Sequence, residues 1–306
     1  MIKDPDISKL PIKVQLASDL HLEINKDTPF EEILEPCAPI LILAGDVGNP
    51  TDLRYSEFLE WCGSKYEKIV LIAGNHEYYS SKSATPLSIT KRKDFIRDIC
   101  EFLGDRFCFL DNTSIQLNED VIIIGTTLWS HIKPQERFVA EYCLNDFNHI
   151  YADDDNLLSV DTYNEMHIKC YEWLRDEIDS HKDKIVIVVT HHLPSFALIA
   201  DKYRDSPLNS AFASDLDHLY KRDNVKYWFY GHSHSSSDTI EEGCRLVANP
   251  HGYSQKENSS YNPKLSIKIS NDPYDGKFMI MPLTREDGNT YNHKFRTVDP
   301  PDLQDD

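Results

Sequence analysis

No stretch of this 306-residue chain is apolar for long enough to span a bilayer; the runs Ile40–Ala44, Val121–Ile124 and Ile185–Val189 have the length of single strands. Positive charge is also scarce. With 32 Lys and Arg against 51 Asp and Glu, the formal net charge is −19, and no local basic cluster reverses it. Such a surface repels nucleic acid and anionic lipid at long range, so nucleic-acid binding is disfavoured as a main activity and no membrane partner is expected. A C-x-x-C pair is missing too. Cys37, Cys62, Cys100, Cys108, Cys143, Cys170 and Cys244 are scattered and odd in number, which reads as free thiols in a reducing compartment, with a cytoplasmic location expected. Met1–Leu10 lacks the basic-then-apolar pattern of a signal peptide or anchor. Wholesale disorder is excluded by a hydrophobic fraction of 40% with 11% aromatics.

What is present is an alternation of strand and helix patterns. Ile12–Ala17, Ile40–Ala44, Lys68–Ala73, Val121–Thr127, Ile185–Thr190 and Lys226–Tyr230 are apolar, β-branched and bounded by turn residues, so they read as buried strands. Between Ser159 and Ile178, Val160, Tyr163, Met166, Cys170, Trp173 and Leu174 recur at helical spacing, with Thr162 to Glu165 offering a capping box. Leu53–Cys62 and Asp215–Lys221 read as shorter helices. After Trp228 the pattern is strand-only: Thr239–Glu242, Arg245–Asn249 and Leu265–Ile269. The expected organisation is one α/β domain over residues 1–270 and a C-terminal extension over 271–306, the latter with Phe278–Leu283 as an added strand and a flexible acidic tip.

Five short motifs follow the strands in order: Ser18-Asp19-Leu20-His21, Gly45-Asp46, Gly74-Asn75-His76-Glu77, Thr190-His191-His192 and Gly231-His232-Ser233-His234. In open α/β sheets the groups beyond the carboxyl ends of strands share one crevice. In extended chain, residues two apart point the same way, so Asp19/His21 and His232/His234 can each present two ligands to one side. Alone, Asp-x-His is a weak signal and Gly-Asp a turn, while Gly-Asn-His-Glu and Gly-His-x-His are moderate signals. Their order after strands is what gives them weight. Asp19, His21, Asp46, Asn75, His191, His232 and His234 supply carboxylate, imidazole and amide oxygen without thiolate, which suits Mn, Fe or Zn. Seven donors are too many for one tetrahedral ion and suit two ions sharing a carboxylate.

The series D-x-H, G-D, G-N-H-D/E, H and G-H-x-H resembles the calcineurin-like metallophosphoesterase superfamily, over roughly Ile12 to Ile269. The resemblance implies an α/β fold: a four-layer α-β-β-α sandwich of two mixed sheets with flanking helices. It implies one metal held by Asp19, His21, Asp46 and His234 and another by Asp46, Asn75, His191 and His232, with Asp46 bridging. The ions would be divalent or trivalent, manganese first, with iron or zinc as alternatives. His76 and Asp46 become the catalytic residues: a hydroxide shared by the metals attacks the phosphoester, and His76 assists the leaving group. The expected partner is a small phosphate ester, monoester or diester. The alternatives are a Ser/Thr-type protein phosphatase and a non-catalytic scaffold of the same fold, which the filled ligand positions disfavour. The sequence does not specify an oligomeric state.

Two departures bear on chemistry. Phosphoprotein phosphatases of the superfamily read G-D-x-x-D-R-G, where the second Asp orients the His of G-N-H and the Arg grips phosphate; here Asn49 and Pro50 occupy those positions. With Asn49 neutral, His76 is expected to lack its orienting carboxylate unless Glu77 or Asp146 supplies one, and aryl esters should be favoured over alkyl phosphates. The local sequences Ser18-Asp-Leu-His-Leu-Glu23, Gly74-Asn-His-Glu-Tyr-Tyr79, Gly125-Thr-Thr-Leu-Trp129 and Asn249-Pro-His-Gly-Tyr253 resemble poorly characterised phosphoesterases that carry Arg where His251 stands. Trp129 reads either as core or as a platform at the cleft, and Asp153-Asp154-Asp155 as a solvated loop.

Overall fold

The computed structural model describes residues 9–80, 85–254 and 256–274. The elements run β1 (Ile12–Ala17), α1 (Phe30–Ile33), β2 (Ile40–Ala44), α2 (Leu53–Gly63), β3 (Lys68–Ile72), α3 (Ile89–Leu103), β4 (Phe107–Phe109), β5 (Thr113–Gln116), β6 (Val121–Thr126), α4 (Arg137–Cys143), α5 (Asp146–His149), α6 (Val160–Ser180), β7 (Ile185–Thr190), α7 (Asp217–Tyr220), β8 (Val225–Tyr230), β9 (Ser237–Glu241), β10 (Cys244–Ala248) and β11 (Ser266–Ile269). The possible strand at Phe278–Leu283 and the acidic tip lie outside the described residues.

The strands form two mixed sheets, ordered β11-β1-β2-β3-β4 and β5-β6-β7-β8-β10-β9. β1 to β4 are mutually parallel, as are β6, β7, β8 and β10, while β11, β5 and β9 add as antiparallel edges. Strand alternation divides the apolar side chains between two cores. Val14, Leu16, Ile42 and Ile72 from one sheet meet Ile123, Ile187, Val189 and Phe229 from the other. The opposite faces, carrying Leu41, Leu43, Ile69 and Leu71 or Ile122, Ile124, Val186 and Val188, are covered by α2, α3 and α6. This burial on both sides explains why the central strands are continuous apolar runs. The four-layer sandwich is therefore the observed fold.

The differences from expectation are local. α6 starts three residues before the anticipated box: Ser159 is its N-cap and accepts from the Thr162 N–H, so the cap is Ser159 to Thr162 rather than Thr162 to Glu165. α3 escaped notice because charged residues crowd its sequence, yet Ile89, Arg92, Ile96 and Cys100 are buried along one face and Gly104, at φ 97°, ends it. β4 and β5 are too short for alternation to declare them. Trp129 is core, stacked on Tyr78 and edge-on to Tyr163. The Asp153–Asp155 loop is exposed, with the Asp153 carboxylate accepting from the Asp155 and Asn156 amides.

One buried histidine away from the strand-end motifs makes stability pH-dependent. His167 of α6 is 6% exposed, with Nδ1 against the Leu128 carbonyl, and burial lowers its pKa from 6.5 to about 4. Below pH 6.5 the unfolded chain binds a proton there that the folded chain refuses until about pH 4, so stability falls as pH falls through this window. Between pH 7 and 5 this amounts to about 2 kcal/mol. Urea unfolding of His167→Gln should therefore lose about 2 kcal/mol less than the parent over that interval; equal losses would show that His167 does not titrate this way.

Candidate metal centre

The centre lies where the carboxyl ends of β1, β2, β3, β7 and β8 meet. Asp19, His21, Asp46, His232 and His234 all have left-handed backbone, at φ 53°, 46°, 52°, 66° and 46°. These are costly conformations for residues with a Cβ and persist where surrounding structure fixes them. They also correct the strand-alternation argument. Asp19 and His21 do point together, while His232 and His234 serve different donor groups, and both pairs reach the centre through left-handed turns beyond the strands, with Leu20 and Ser233 outside that region. Close approach is built in as well: a Cβ on Gly74 would strike Asp46 and come within 2.7 Å of the His191 ring.

All seven expected donors converge. Donor atoms of Asp19, His21 and His234 lie within 4.8 Å of one another, and so do those of Asp46, His191 and His232. Asp46 Oδ2 stands between the groups, 3.9 Å from His21 Nε2 and 3.3 Å from His191 Nε2. Asn75 Oδ1 is 3.1 Å from His191 Nε2. A buried acceptor, Asp146 Oδ1, takes the Asn75 Nδ2 hydrogen at 2.9 Å and the Tyr79 hydroxyl at 2.5 Å, which turns the amide oxygen inward. Asp19 is fixed by Ser18 Oγ and the His232 N–H.

The hydrogen-bond polarity shows what this centre requires. His191 Nδ1 faces the Ala44 carbonyl at 2.9 Å, which only accepts, so Nδ1 carries the hydrogen and the Nε2 lone pair confronts Asp46 and Asn75 oxygens. His21 Nδ1 faces Glu23 Oε1 at 3.1 Å and His234 Nδ1 faces Glu257 Oε1 at 3.0 Å; their Nε2 atoms then meet head to head at 3.1 Å. Lone pairs so opposed need a cation between them, and carboxylate or carbonyl partners behind each imidazole are what orient metal-binding histidines. Without a metal a proton must serve. Burial resists it, but Asp46 draws His191 up to about 10 and Asp19 draws His234 up to about 9. Burial likewise opposes ionisation of Asp19 and Asp46, yet His234 and His191 respectively hold both carboxyls below the usual range. The donor set therefore fits hard or borderline divalent ions.

His76 is placed differently. Its ring stacks on Tyr79 at 4.2 Å, its Nδ1 lies 3.0 Å from Glu23 Oε1, and its Nε2 faces the Tyr253 hydroxyl at 3.3 Å. The carboxylate beside His76 is thus Glu23, not Glu77 or Asp146. Glu23 Oε1 serves His21 and His76 together, and although burial opposes it, these two contacts take its pKa down to about 2. Asn49 is occupied elsewhere: Oδ1 accepts from Arg92 at 2.9 Å and from Thr51. The aryl preference inferred from a neutral residue 49 has no basis in this geometry. Glu77 instead accepts the amides of Asp46, Val47, Gly48 and Gly74. His192 packs, bonded to Tyr163 and Thr127, and burial keeps it well below the usual histidine range. His251 is buried beside Tyr261 and outside the cleft lining. Sequence reasoning missed the roles of Glu23, Tyr79, Tyr253 and Glu257; for Glu23 the signal was there, since Asp19-x-His21-x-Glu23 continues the same spacing.

The class of protein is given by two helix-flanked mixed sheets with a carboxylate–imidazole centre beyond their strands, taken together with a family match. The model of the calcineurin-like phosphoesterase family matches residues 12–236, and the chain belongs to that family. It is 30% identical over 239 residues to an uncharacterized protein of Acanthamoeba polyphaga mimivirus, covering 75% of this chain and 83% of that one. Its fold is similar to that of phosphopantetheinyl hydrolase from Mycobacterium tuberculosis, with TM-score 0.65, 19% identity, and coverage of 86% of this chain and 98% of that one. Among the described residues no helix is long and apolar enough to cross a membrane.

The reassignment from position 49 to position 23 is measurable without turnover. In chelator-treated protein, NMR titration should show the His76 pKa lower in Glu23→Gln than in the parent, because an opposite charge is lost. Asn49→Asp should leave it unchanged. The reverse pattern would return the orienting role to position 49.

Proposed function

We propose that this chain hydrolyses phosphoester bonds of a small substrate with two metal ions, one held by Asp19, His21, Asp46 and His234 and the other by Asp46, Asn75, His191 and His232. The observation carrying this reading is the pair of opposed lone-pair clusters with Asp46 between them. Manganese is the first candidate, with iron or zinc as alternatives. Bound there, such ions supply Lewis acidity, lowering the pKa of water and neutralising phosphate charge. The protein's own residues do the rest. Glu23 fixes the His76 Nδ1 hydrogen, so proton exchange is confined to Nε2, the nitrogen facing Tyr253. Burial opposes protonation of His76, but Asp46 and Glu23 raise its pKa above the usual range. A protonated Nε2 at the cleft is placed to donate to the departing oxygen.

Two measurements test the assignment. Anomalous diffraction from Mn²⁺-loaded Asp46→Ala should show occupancy lost at both positions, and Asn75→Ala mainly at one; two full sites in Asp46→Ala would sink the shared-carboxylate reading. His76→Ala should fold and keep its metal while turnover falls on the order of 10²–10⁴-fold. A loss of metal as deep as that of His191→Ala would make His76 a ligand instead.

A further inference from the structure

The cleft that opens from the centre has a volume of about 340 Å³ and changes character along its length. Its floor is made by Asp46, Asn75, His76, His232 and His234. Immediately beyond, Phe212 stacks on His232 at 4.5 Å. The lining also holds Leu208, Ile199 and Leu193, and Leu144 on the segment joining α4 to α5, with Asn145, Ser206 and Asn209 as its polar members. Tyr79, on the face of His76, gives the other side of the floor an aromatic flank. The carboxyl groups of the lining belong to Asp46, Asp146 and Glu257, and the last two lie against the floor. Asp146 is bonded to Asn75 and Tyr79, and Glu257 to His234 and the Tyr253 amide. Among the described lining residues none is Lys or Arg. Of the cations beside lining residues in sequence, Lys202 lies over the Tyr203 ring, Arg204 pairs with Asp201, and Lys256 is exposed next to Glu257.

We propose that the cleft takes a phosphate ester whose alcohol portion is a compact apolar or aromatic group bearing no second phosphate. This rests on the phosphoesterase reading above and adds selectivity to it. One phosphate satisfies the cationic floor. A second anion carried further out finds no Lys or Arg in the described lining and meets the side chains of Leu208, Ile199 and Leu193, where desolvation opposes it. An alkyl or aryl chain instead displaces water from an apolar wall that starts against the floor itself. Substrates with two separated phosphates are disfavoured by the same groups that favour a hydrophobic monophosphate.

The test is a binding series on the Mn²⁺-loaded full chain by calorimetry: methylphosphonate, hexylphosphonate and hexane-1,6-diylbisphosphonate, with turnover of the matching phosphates alongside. Methylphosphonate reports the floor alone. Hexylphosphonate should bind at least about tenfold more tightly, a modest share of what burying its added methylenes can supply. The far phosphonate of the third ligand should remove about tenfold or more of that gain. Ala200→Lys, at a half-buried wall position in extended backbone, should restore binding of the bisphosphonate selectively. Methylphosphonate binding with no gain for hexyl, or equal affinity for the bisphosphonate, overturns this selectivity and leaves the phosphoesterase reading intact. Absence of binding by all three, with no ester hydrolysed, overturns both.

Discussion

The buried Glu77 carboxylate is the constraint on which the centre depends. It is fully buried and accepts amide hydrogens from Asp46, Val47 and Gly48 beyond β2 and from Gly74 beyond β3. A carboxylate without such donors would be expensive to bury, and amides without it would be orphaned; each side makes the other tolerable. Burial and the neighbouring Asp46 push its pKa up to about 8, while the amides pull towards the anion. The consequence is geometric. The peptide of Asp46 is clamped in its left-handed conformation, and the His76 N–H is free to hold Asp46 Oδ1 at 2.8 Å. Asp46 is thereby aimed at both clusters by residues that need not touch a ligand themselves.

The same clamp explains which parts of the molecule were legible in the sequence. The central strands were legible because both faces are buried, which leaves uninterrupted β-branched runs such as Ile185–Thr190. The convergence of the seven donors was legible because topology alone delivers strand ends to one crevice. How the donors point was not. Asp19 and His21 align through left-handed turns whose cost is met by contacts from distant segments: the Gly45 and Asp46 carbonyls accept the Asp19 and His21 amides. No spacing rule within one motif contains that information. The partner of His76 was hidden for a related reason. Glu23 is more than fifty residues from His76, and it reaches that ring only because the segment after β1 lies against the loop after β3.

The comparison with the phosphoprotein phosphatase pattern then takes a different form. Asn49 and Pro50 are real departures, but the negative charge absent from residue 49 is present at residue 23, against the imidazole Nδ1. The vacated position has its own work: Asn49 accepts from Arg92, whose guanidinium also reaches the Glu77 carbonyl and Ser80 Oγ and so braces the turn that carries His76. Burial lowers the Arg92 pKa to about 10, which leaves it charged at neutral pH. A charged side chain on α3, unnoticed in the sequence, thus supports the turn from behind while Glu23 orients the ring from in front. One substituted residue is therefore a poor guide to leaving-group preference in this chain, because the same imidazole receives its carboxylate from another strand end with the five strand-end motifs intact.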